Sequence, residues 1–441
     1  METTCTAAAA PGAIPVLGHV PRLLRDPLGF WGTLPSYGDL VTVRVGTIRA
    51  VVVCTPELTR HVLLNDKIFD KGGLAYDVAR PILGNGLGTC PHSQHRRQRR
   101  LIQPAFNPQR LPGYSRVIAR RAAAVVDAWQ PGQAVDVLTE MTAITTHALA
   151  ETVLGTALAA DVHAELTENV NLIVLQSLRR IILPDVINNF PLPANLRYNR
   201  ATARVKQIAH GIITERRRAG STDHDDMLSM LLATTDFDGG SLSDAELVDQ
   251  IMTFFFAGIE TTAVTLSWAL RLLSDHPDIQ DQLHAEVDQV LTGDPVDHLP
   301  ELVLTARIIN EALRLYPPTW LLTRIASTDT ELGGHPIAAG TTVVFSSYLI
   351  HRRPDEHPNA QRFDPDRWNT PPGRHAYVPF GGGARKCIGE GFALAEATLV
   401  LATIARRWRL APIPSQRGRI LPGGTIRPKG LRLRAIARSS S

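Results

Sequence analysis

Apolar residues recur along most of this chain at the spacing of helices. From Ser243 to Pro277, "SDAELVDQIMTFFFAGIETTAVTLSWALRLLSDHP", there is no internal proline, and Ser243 and Glu246 stand at capping-box spacing. The stretch predicts one helix of about thirty residues, about 45 Å long at about 1.5 Å per residue, enough to cross a whole domain. "ELVLTARIINEALRLYPP" predicts a second helix, stopped by Pro317 and Pro318. "IGEGFALAEATLVLATIARRW" predicts a third, with Ile388, Phe392, Ala395, Leu399 and Ala402 on one stripe. Strand patterns are confined to "DLVTVRVGTIRAVVVCTP" and "GTTVVFSSYLI", and the rest of the C-terminal third reads as turn-rich. The expected fold class is mainly α with small β-sheet regions.

The chain has 441 residues, 44% hydrophobic and 20% charged, a composition that supports a large core. Length alone suggests about three domains, yet no repeat, low-complexity linker or charge-block boundary divides it. A single domain over 11–438 is expected, with a disordered tail over 1–10 and a short C-terminal tail over 439–441. The N-terminus lacks a cationic leader region and is broken by Pro11 and Pro15, so it reads as neither signal peptide nor anchor. No window reaches about 18 uninterrupted apolar residues; no membrane span and a cytoplasmic location are expected. Lys and Arg exceed Asp and Glu by only 46 to 42, too small and dispersed an excess to argue for nucleic acid. Cys5, Cys54, Cys90 and Cys387 lie far apart without CxxC pairing, which argues against a disulfide framework or a zinc site and for a reducing compartment.

One stretch stands out chemically. "FGGGARKCIG" (380–389) crowds three consecutive glycines, two cations and a lone cysteine into the entrance of the third helix. Unpaired backbone N–H groups there favour an anion and should lower a thiol pKa. A single thiolate without a second soft ligand nearby cannot build a tetrahedral zinc site, but it can serve as the axial ligand of a heme. Arg385 could then reach a heme propionate. A glycine-rich turn with an incidental buried cysteine is the competing reading.

Phe380, Gly381, Gly383, Arg385, Cys387 and Gly389, continued by Phe392 and Ala393, resemble the heme-binding signature of the cytochrome P450 family. "AGIETT" (257–262), "EALR" (311–314) and "FDPDRW" (363–368) resemble three further family motifs in the expected order, and the likeness runs from "PGAIPVLGHV" to "TIRPKGLRL". It implies a triangular prism holding heme b (iron protoporphyrin IX) between the long distal helix and the proximal loop, with Cys387 on the metal. Glycine inside a helix costs about 1 kcal/mol relative to alanine, so Gly258 needs a reason. The resemblance supplies one: a helix locally opened at Ala257 and Gly258 leaves room for dioxygen, Thr261 offers it a hydroxyl, and Glu260 relays protons where many relatives carry Asp. Glu311 and Arg314 would by themselves be a surface pair worth about 0.2–0.5 kcal/mol; the resemblance makes them a buried structural triad with Arg367, despite the departures Asp366 and Trp368.

In "HSQHRRQRR", His95 and Arg99 share a helix face and match propionate ligands, as does Arg324 further on; Arg96, Arg97 and Arg100 could form a basic patch for an acidic redox partner. Phe380 and Gly381 belong to the cofactor site. Phe254, Phe255 and Phe256, with Thr319, Trp320 and Leu321, are candidate substrate contacts, and 72–88 and 177–196 are candidate lids because glycines and prolines interrupt their helical pattern. The implied activity is heme-thiolate monooxygenation of an apolar small molecule. Electrons would come from ferredoxin and ferredoxin reductase, with O2 as oxidant and the protein a monomer. Several stretches, "QHRRQRRLIQPAF" among them, are similar to bacterial sesquiterpene hydroxylases of the family, which implies a terpenoid substrate in secondary metabolism or antibiotic biosynthesis. Fatty acids, a polyketide or macrolide, peroxide-driven chemistry and a non-enzymatic heme sensor or carrier are the alternatives.

Overall fold

The computed structural model describes residues 7–155, 159–183, 185–220, 226–236, 239–373 and 375–438. Its helices in chain order are α1 (Val20–Arg25), α2 (Pro27–Thr33), α3 (Pro56–Leu64), α4 (Leu74–Leu83), α5 (His92–Ile102), α6 (Leu111–Val126), α7 (Val137–Leu154) and α8 (Ala160–Ile182). They continue as α9 (Asp185–Asn189), α10 (Pro193–Ala219), α11 (Met227–Ala233), α12 (Asp244–Asp275), α13 (Pro277–Val290), α14 (Val303–Leu315), α15 (Ser347–Ile350) and α16 (Glu390–Arg407). The strands are β1 (Ala8–Ala9), β2 (Leu40–Val45), β3 (Ile48–Val53), β4 (Phe69–Asp70), β5 (Ala134–Asp136), β6 (Leu322–Ala326), β7 (Thr330–Leu332), β8 (His335–Ile337), β9 (Thr342–Phe345), β10 (Trp408–Pro422) and β11 (Ile426–Ala437).

The expected capping box forms. Ser243 Oγ accepts from the Glu246 N–H at 3.2 Å, and the Glu246 carboxylate accepts from the Ser243 N–H at 2.9 Å. From that start α12 runs unbroken for 32 residues. Among the described residues it is the one helix long and apolar enough to cross a membrane, but 78% of its apolar window is buried inside the protein, which makes it the central core helix. α6, α7, α10, α14 and α16 gather into one large apolar core with it. A second cluster joins Phe30 and Trp31 of α2 to Val264 and Trp268 of α12; the Trp268 ring stacks on Tyr316 at 3.9 Å while its N–H donates to the Ile426 carbonyl at 2.8 Å.

Beside the helices lies a mixed sheet of order β1-β2-β3-β9-β6-β4. β2 and β3 are antiparallel with Leu40 opposite Val53, and β3 runs parallel to β9 with Ala50 opposite Thr342. The last residues of the tail expected over 1–10 are ordered: Ala8 and Ala9 pair with Val41 and Thr42, and Ala10 is buried, because backbone pairing to β2 orders a segment whose side chains carry no pattern. Met1–Thr6 and 439–441 lie outside the described residues.

The turn-rich reading of the C-terminal third also needs correction. β10 and β11 form a long antiparallel hairpin, with β5 added to β11. Its prolines and glycines masked the ladder, although Leu431, Leu433 and Ala435 alternate, buried, with exposed Arg432 and Arg434. The two candidate lids are more helical than expected, since α4 continues through Pro81 and 177–196 is divided among α8, α9 and α10.

One buried acid stands apart. Glu396 of α16 is 1% exposed, and neither carboxylate oxygen has a hydrogen-bond partner among the described residues. Burial pushes its carboxyl up to about 8, tempered only by the nearby Thr262 hydroxyl. The unfolded chain loses this proton near about pH 4.3, whereas the folded protein keeps it until about 8. Folding stability therefore falls as pH rises through that window and levels off above it. Glu396→Gln should remove this slope, so its stability advantage over the parent in urea unfolding grows between pH 5 and 8 by at most about 1.4 kcal/mol per pH unit. A constant difference across that range would mean that the acid titrates normally.

Candidate functional site

The cysteine loop is shaped by backbone. The Cys387 N–H donates to the Phe380 carbonyl at 2.9 Å, closing the turn, and Gly389 caps α16. Gly383 sits at φ 65, where a Cβ would lie 2.3 Å from the Leu63 carbonyl oxygen, so both conformation and close approach to α3 demand glycine. The Cys387 side chain opens onto a cavity of about 600 Å³ enclosed by α12, α4, α5, α8, β6 and the cysteine loop. Helix polarity alone would lower the thiol pKa; here burial raises it, and the Gly389 N–H offsets only part of that rise. The apolar walls outweigh the helix entrance.

Across the cavity from Cys387 runs α12. Phe254, Phe256, Ala257, Gly258, Glu260 and Thr261 all line the space. Phe255 does not: it is wholly buried in the core, because three consecutive helical residues fan over about 200° and cannot all face one cavity. Neither is the helix opened at Ala257 and Gly258. It continues without interruption, with the Thr261 hydroxyl donating to the Ala257 carbonyl at 2.5 Å. Gly258 has a packing reason for its size, since a Cβ there would meet Leu149 Cδ2 of α7 at 2.8 Å.

Glu260 is 2% exposed, and its Oε1 accepts from Thr425 Oγ1 at 2.7 Å and from Arg427 Nε at 3.0 Å. The carboxylate is thus half of a buried ion pair with the start of β11. Thr319, Trp320 and Leu321 line the cavity as expected; the Trp320 indole N–H donates to the Gly423 carbonyl at 3.0 Å and its ring meets Trp31 edge-on at 6.2 Å. Of the two candidate lids, Tyr76, Ile82 and Leu83 contribute wall on one side, Ser177 and Ile181 on the other.

At one end of the same cavity basic groups converge. His95, Arg99, Arg324 and Arg385 are brought together as anticipated, and Lys71 and Tyr76, which no local sequence pattern singles out, complete the cluster. Lys71 Nζ donates to the Leu87 and Gly88 carbonyls at 2.9 and 2.8 Å; Arg324 donates to the Tyr76 hydroxyl at 3.1 Å and the Thr323 carbonyl at 2.8 Å. Among the described residues neither cation has a carboxylate partner. Burial lowers the Lys71 pKa, and burial with Arg385 and Lys71 nearby brings His95 down to about 3. Burial would raise the Tyr76 phenol, but Arg324 and Lys71 pull it below its usual value.

Arg385, which also lines the cavity, is held by Asp66 at 2.9 Å, Asp70 at 2.7 Å and the Cys90 carbonyl at 3.0 Å. Arg99 donates to the Lys386 carbonyl at 2.7 Å, tying α5 to the cysteine loop. Arg97 leaves the anticipated basic patch, because it pairs with Asp236 and Glu246.

Glu311 and Arg314 are both fully buried, overturning the surface-pair reading. Their bidentate contact at 2.8 Å is extended by Arg314 donating to the carbonyls of His351, Ala360 and Arg362. Arg367 Nε lies 3.5 Å from Glu311 without a hydrogen bond, while the departure Trp368 donates its indole N–H to Glu311 at 3.1 Å. The other departure, Asp366, pairs with Arg307.

A soft thiol faces an apolar helix, and at one end of the space buried cations lack counter-anions. This donor set fits a flat apolar macrocycle that carries carboxylates and a metal ion. The family model described as Cytochrome P450 matches residues 9–433. The chain belongs to the cytochrome P450 family. Membership brings a heme-iron cofactor and monooxygenase chemistry. This P450 is 44% identical to pentalenene oxygenase of Streptomyces avermitilis, over 99% of both chains. It is 42% identical to cyclooctat-9-en-7-ol 5-monooxygenase of Streptomyces melanosporofaciens, over 94% of this chain and 91% of that one. Cyclooctatin synthase of the same organism is 42% identical over 96% and 94%.

Lys71 offers a direct test of the basic cluster. A hydrogen bond to a charged group contributes about 1.5–3 kcal/mol, so Lys71→Met should speed hemin transfer to an acceptor apoprotein by about 10- to 100-fold while leaving the melting temperature of the heme-free protein unchanged or raised. An unchanged transfer rate would remove Lys71 from the cofactor site.

Proposed function

We propose that this P450 inserts oxygen into an apolar terpenoid, sesquiterpene-like in size, in bacterial secondary metabolism of the kind that yields antibiotics. The observation that carries the reading is the distribution of polarity in the cavity: the basic groups collect together, while Phe254, Phe256, Ile173, Val174 and Leu321 give the space apolar wall, interrupted by Glu260 and by hydroxyls such as that of Thr261. The relatives named for pentalenene and cyclooctat-9-en-7-ol support the same class of substrate.

In this reading Cys387 would hold the iron of heme b. Lys71, Arg324, His95 and Arg99 would receive its carboxylates, Phe380 and Gly381 would pack against it, and Arg385, held by Asp66 and Asp70, would brace the loop. Bound heme iron supplies dioxygen activation. The chain's own groups do the rest: the apolar walls orient a C–H bond and exclude water, and Thr261 Oγ1, released from the Ala257 carbonyl, holds a proton above the reacting space. Glu260, positioned by Thr425 and Arg427, relays the next proton to that hydroxyl. Glu311 and Arg314, with Arg367 at the rim, are structural. The electron donors are a ferredoxin and its reductase, and the protein acts as a monomer in the cytoplasm.

Titrating the purified protein with sesquiterpene hydrocarbons and their mono-alcohols should give a high-spin shift at low micromolar concentration, about 7–8 kcal/mol of binding. A shift with macrolides alone and with no terpene would sink the substrate class. Thr261→Ala should bind the same ligand equally well but divert more than half of the reducing equivalents to peroxide; equal coupling in parent and variant would remove the hydroxyl from proton delivery.

A further inference from the structure

Between α4 and α5 the cavity is walled by a segment with few side chains of its own. In "GNGLG" (84–88) every second residue is glycine, and glycine loses more conformational freedom on ordering than any other residue. Residues 84–90 form neither helix nor strand, yet Leu87, Gly88 and Thr89 line the cavity. The Leu87 and Gly88 carbonyls are also the two acceptors of the Lys71 ammonium, at 2.9 and 2.8 Å. Two carbonyls can direct one cation only if the backbone that carries them is fixed.

The glycines bring that backbone onto α12. A Cβ at Gly84 would lie 2.0 Å from Asp249 Oδ1, and one at Gly86 would lie 2.3 Å from Thr253 Oγ1 and 2.4 Å from the Asp249 carbonyl oxygen. At that range side chains of α12 reach the N–H groups of the segment. Asp249 Oδ2 accepts from the Asn85 N–H at 2.8 Å, and Gln250 Oε1 accepts from the Leu87 N–H at 2.8 Å. The Gln250 amide donates in turn to Gln98 Oε1 of α5 at 3.1 Å, and the Gln98 amide donates to the Asn85 carbonyl at 2.8 Å. Hydrogen bonds thus run donor to acceptor from Leu87 through both amides and back to Asn85, so each amide orientation fixes the other.

Both glutamines are buried, Gln250 at 0% and Gln98 at 2% exposure. Burying amides to fill space between α5 and α12 would be a poor exchange for apolar packing, because amides must first be stripped of water. What they add is a fixed position for Leu87, whose N–H is taken by Gln250 and whose carbonyl takes Lys71. Neither glutamine lines the cavity, so their influence on it passes through the segment.

We propose that Gln250, braced by Gln98, is a positioning residue for Lys71: it fixes the Leu87 and Gly88 carbonyls that direct the ammonium, and so governs how firmly the cofactor carboxylates are held. The inference rests on the assignment of Lys71 to those carboxylates.

A double-mutant cycle on hemin transfer from the heme-loaded full chain to an acceptor apoprotein tests it. Gln250→Met keeps the length of the side chain and removes its acceptor and its donor. Transfer should become about 3- to 10-fold faster than in the parent, but less than about twofold faster when the change is made on top of Lys71→Met, since coupled residues are non-additive. Gln250→Glu keeps an acceptor for the Leu87 N–H in either protonation state and should restore most of the parent rate. Equal acceleration with and without Lys71 would make the glutamine pair framework alone and overturn the proposal. So would a Gln250→Met protein that transfers hemin like the parent, or a Gln250→Glu protein no slower than Gln250→Met. If Gln250→Met yields no heme-loaded protein, Gln98→Met, which leaves the Gln250 acceptor in place but unbraced, carries the same cycle with the same outcomes. An unchanged rate in Lys71→Met rejects the assignment of Lys71 and this inference with it; a fast Lys71→Met with additive glutamine effects rejects the positioning role and leaves Lys71 at the cofactor.

Discussion

Burying several cations at one end of an apolar cavity is costly, and the arrangement around Lys71, Arg324 and Arg385 is a set of answers to that cost. Arg385 is neutralised by Asp66 and Asp70. Among the described residues Lys71 is satisfied by backbone carbonyls and Arg324 by a phenol and a carbonyl, hydrogen bonds that orient the cations without cancelling their charge. A buried cation so placed favours an anionic ligand over water. The elements that meet there, the segment between β4 and α4, α5, β6 and the cysteine loop, are distant in sequence, so much of the topology serves to bring these nitrogens to one point.

The same molecule handles two other buried carboxylates differently. Glu311 is enclosed with Arg314 and anchored further by the Trp368 indole and the Asp364 N–H, so the pair joins α14 to the 351–368 segment as a fully satisfied unit. Removing one partner of such a pair strands the other charge at about 3–5 kcal/mol, which marks it as framework. Among the described residues Glu260 is paired through one oxygen, at a cavity wall. Burial, nearly complete for both, does not distinguish the closed network from the half-used carboxylate.

Legibility in the sequence followed the range of the interactions. The capping box, the long α12 and the cysteine turn depend on neighbours within a few residues, and each was readable from spacing. Lys71 and Tyr76 were not, because nothing in "FDKGGLAYDV" marks a lysine as facing the cavity; the approach of β6 and α5 does that. Phe255 failed because a run of aromatic residues carries no statement of which one faces inward. Gly258 was read as room for a ligand when Leu149 on another helix is enough to require it.

The least legible element, the β10–β11 hairpin, bears on more of the site than its disguise suggests. Its turn carries Gly423 and Gly424 against Trp320 and α8, and Thr425 with Arg427 against Glu260. One tight turn thus touches Trp320, Ser177 of α8 and the acid on α12. Any shift of α8 at Ser177 must also disturb this turn, and through Thr425 and Arg427 the carboxylate they hold. The cavity wall at Ser177 and the setting of Glu260 therefore share a mechanical element. The prolines and glycines that hid the ladder from pattern reading are also what allow its backbone to come so close to Ser177, where a larger residue would clash.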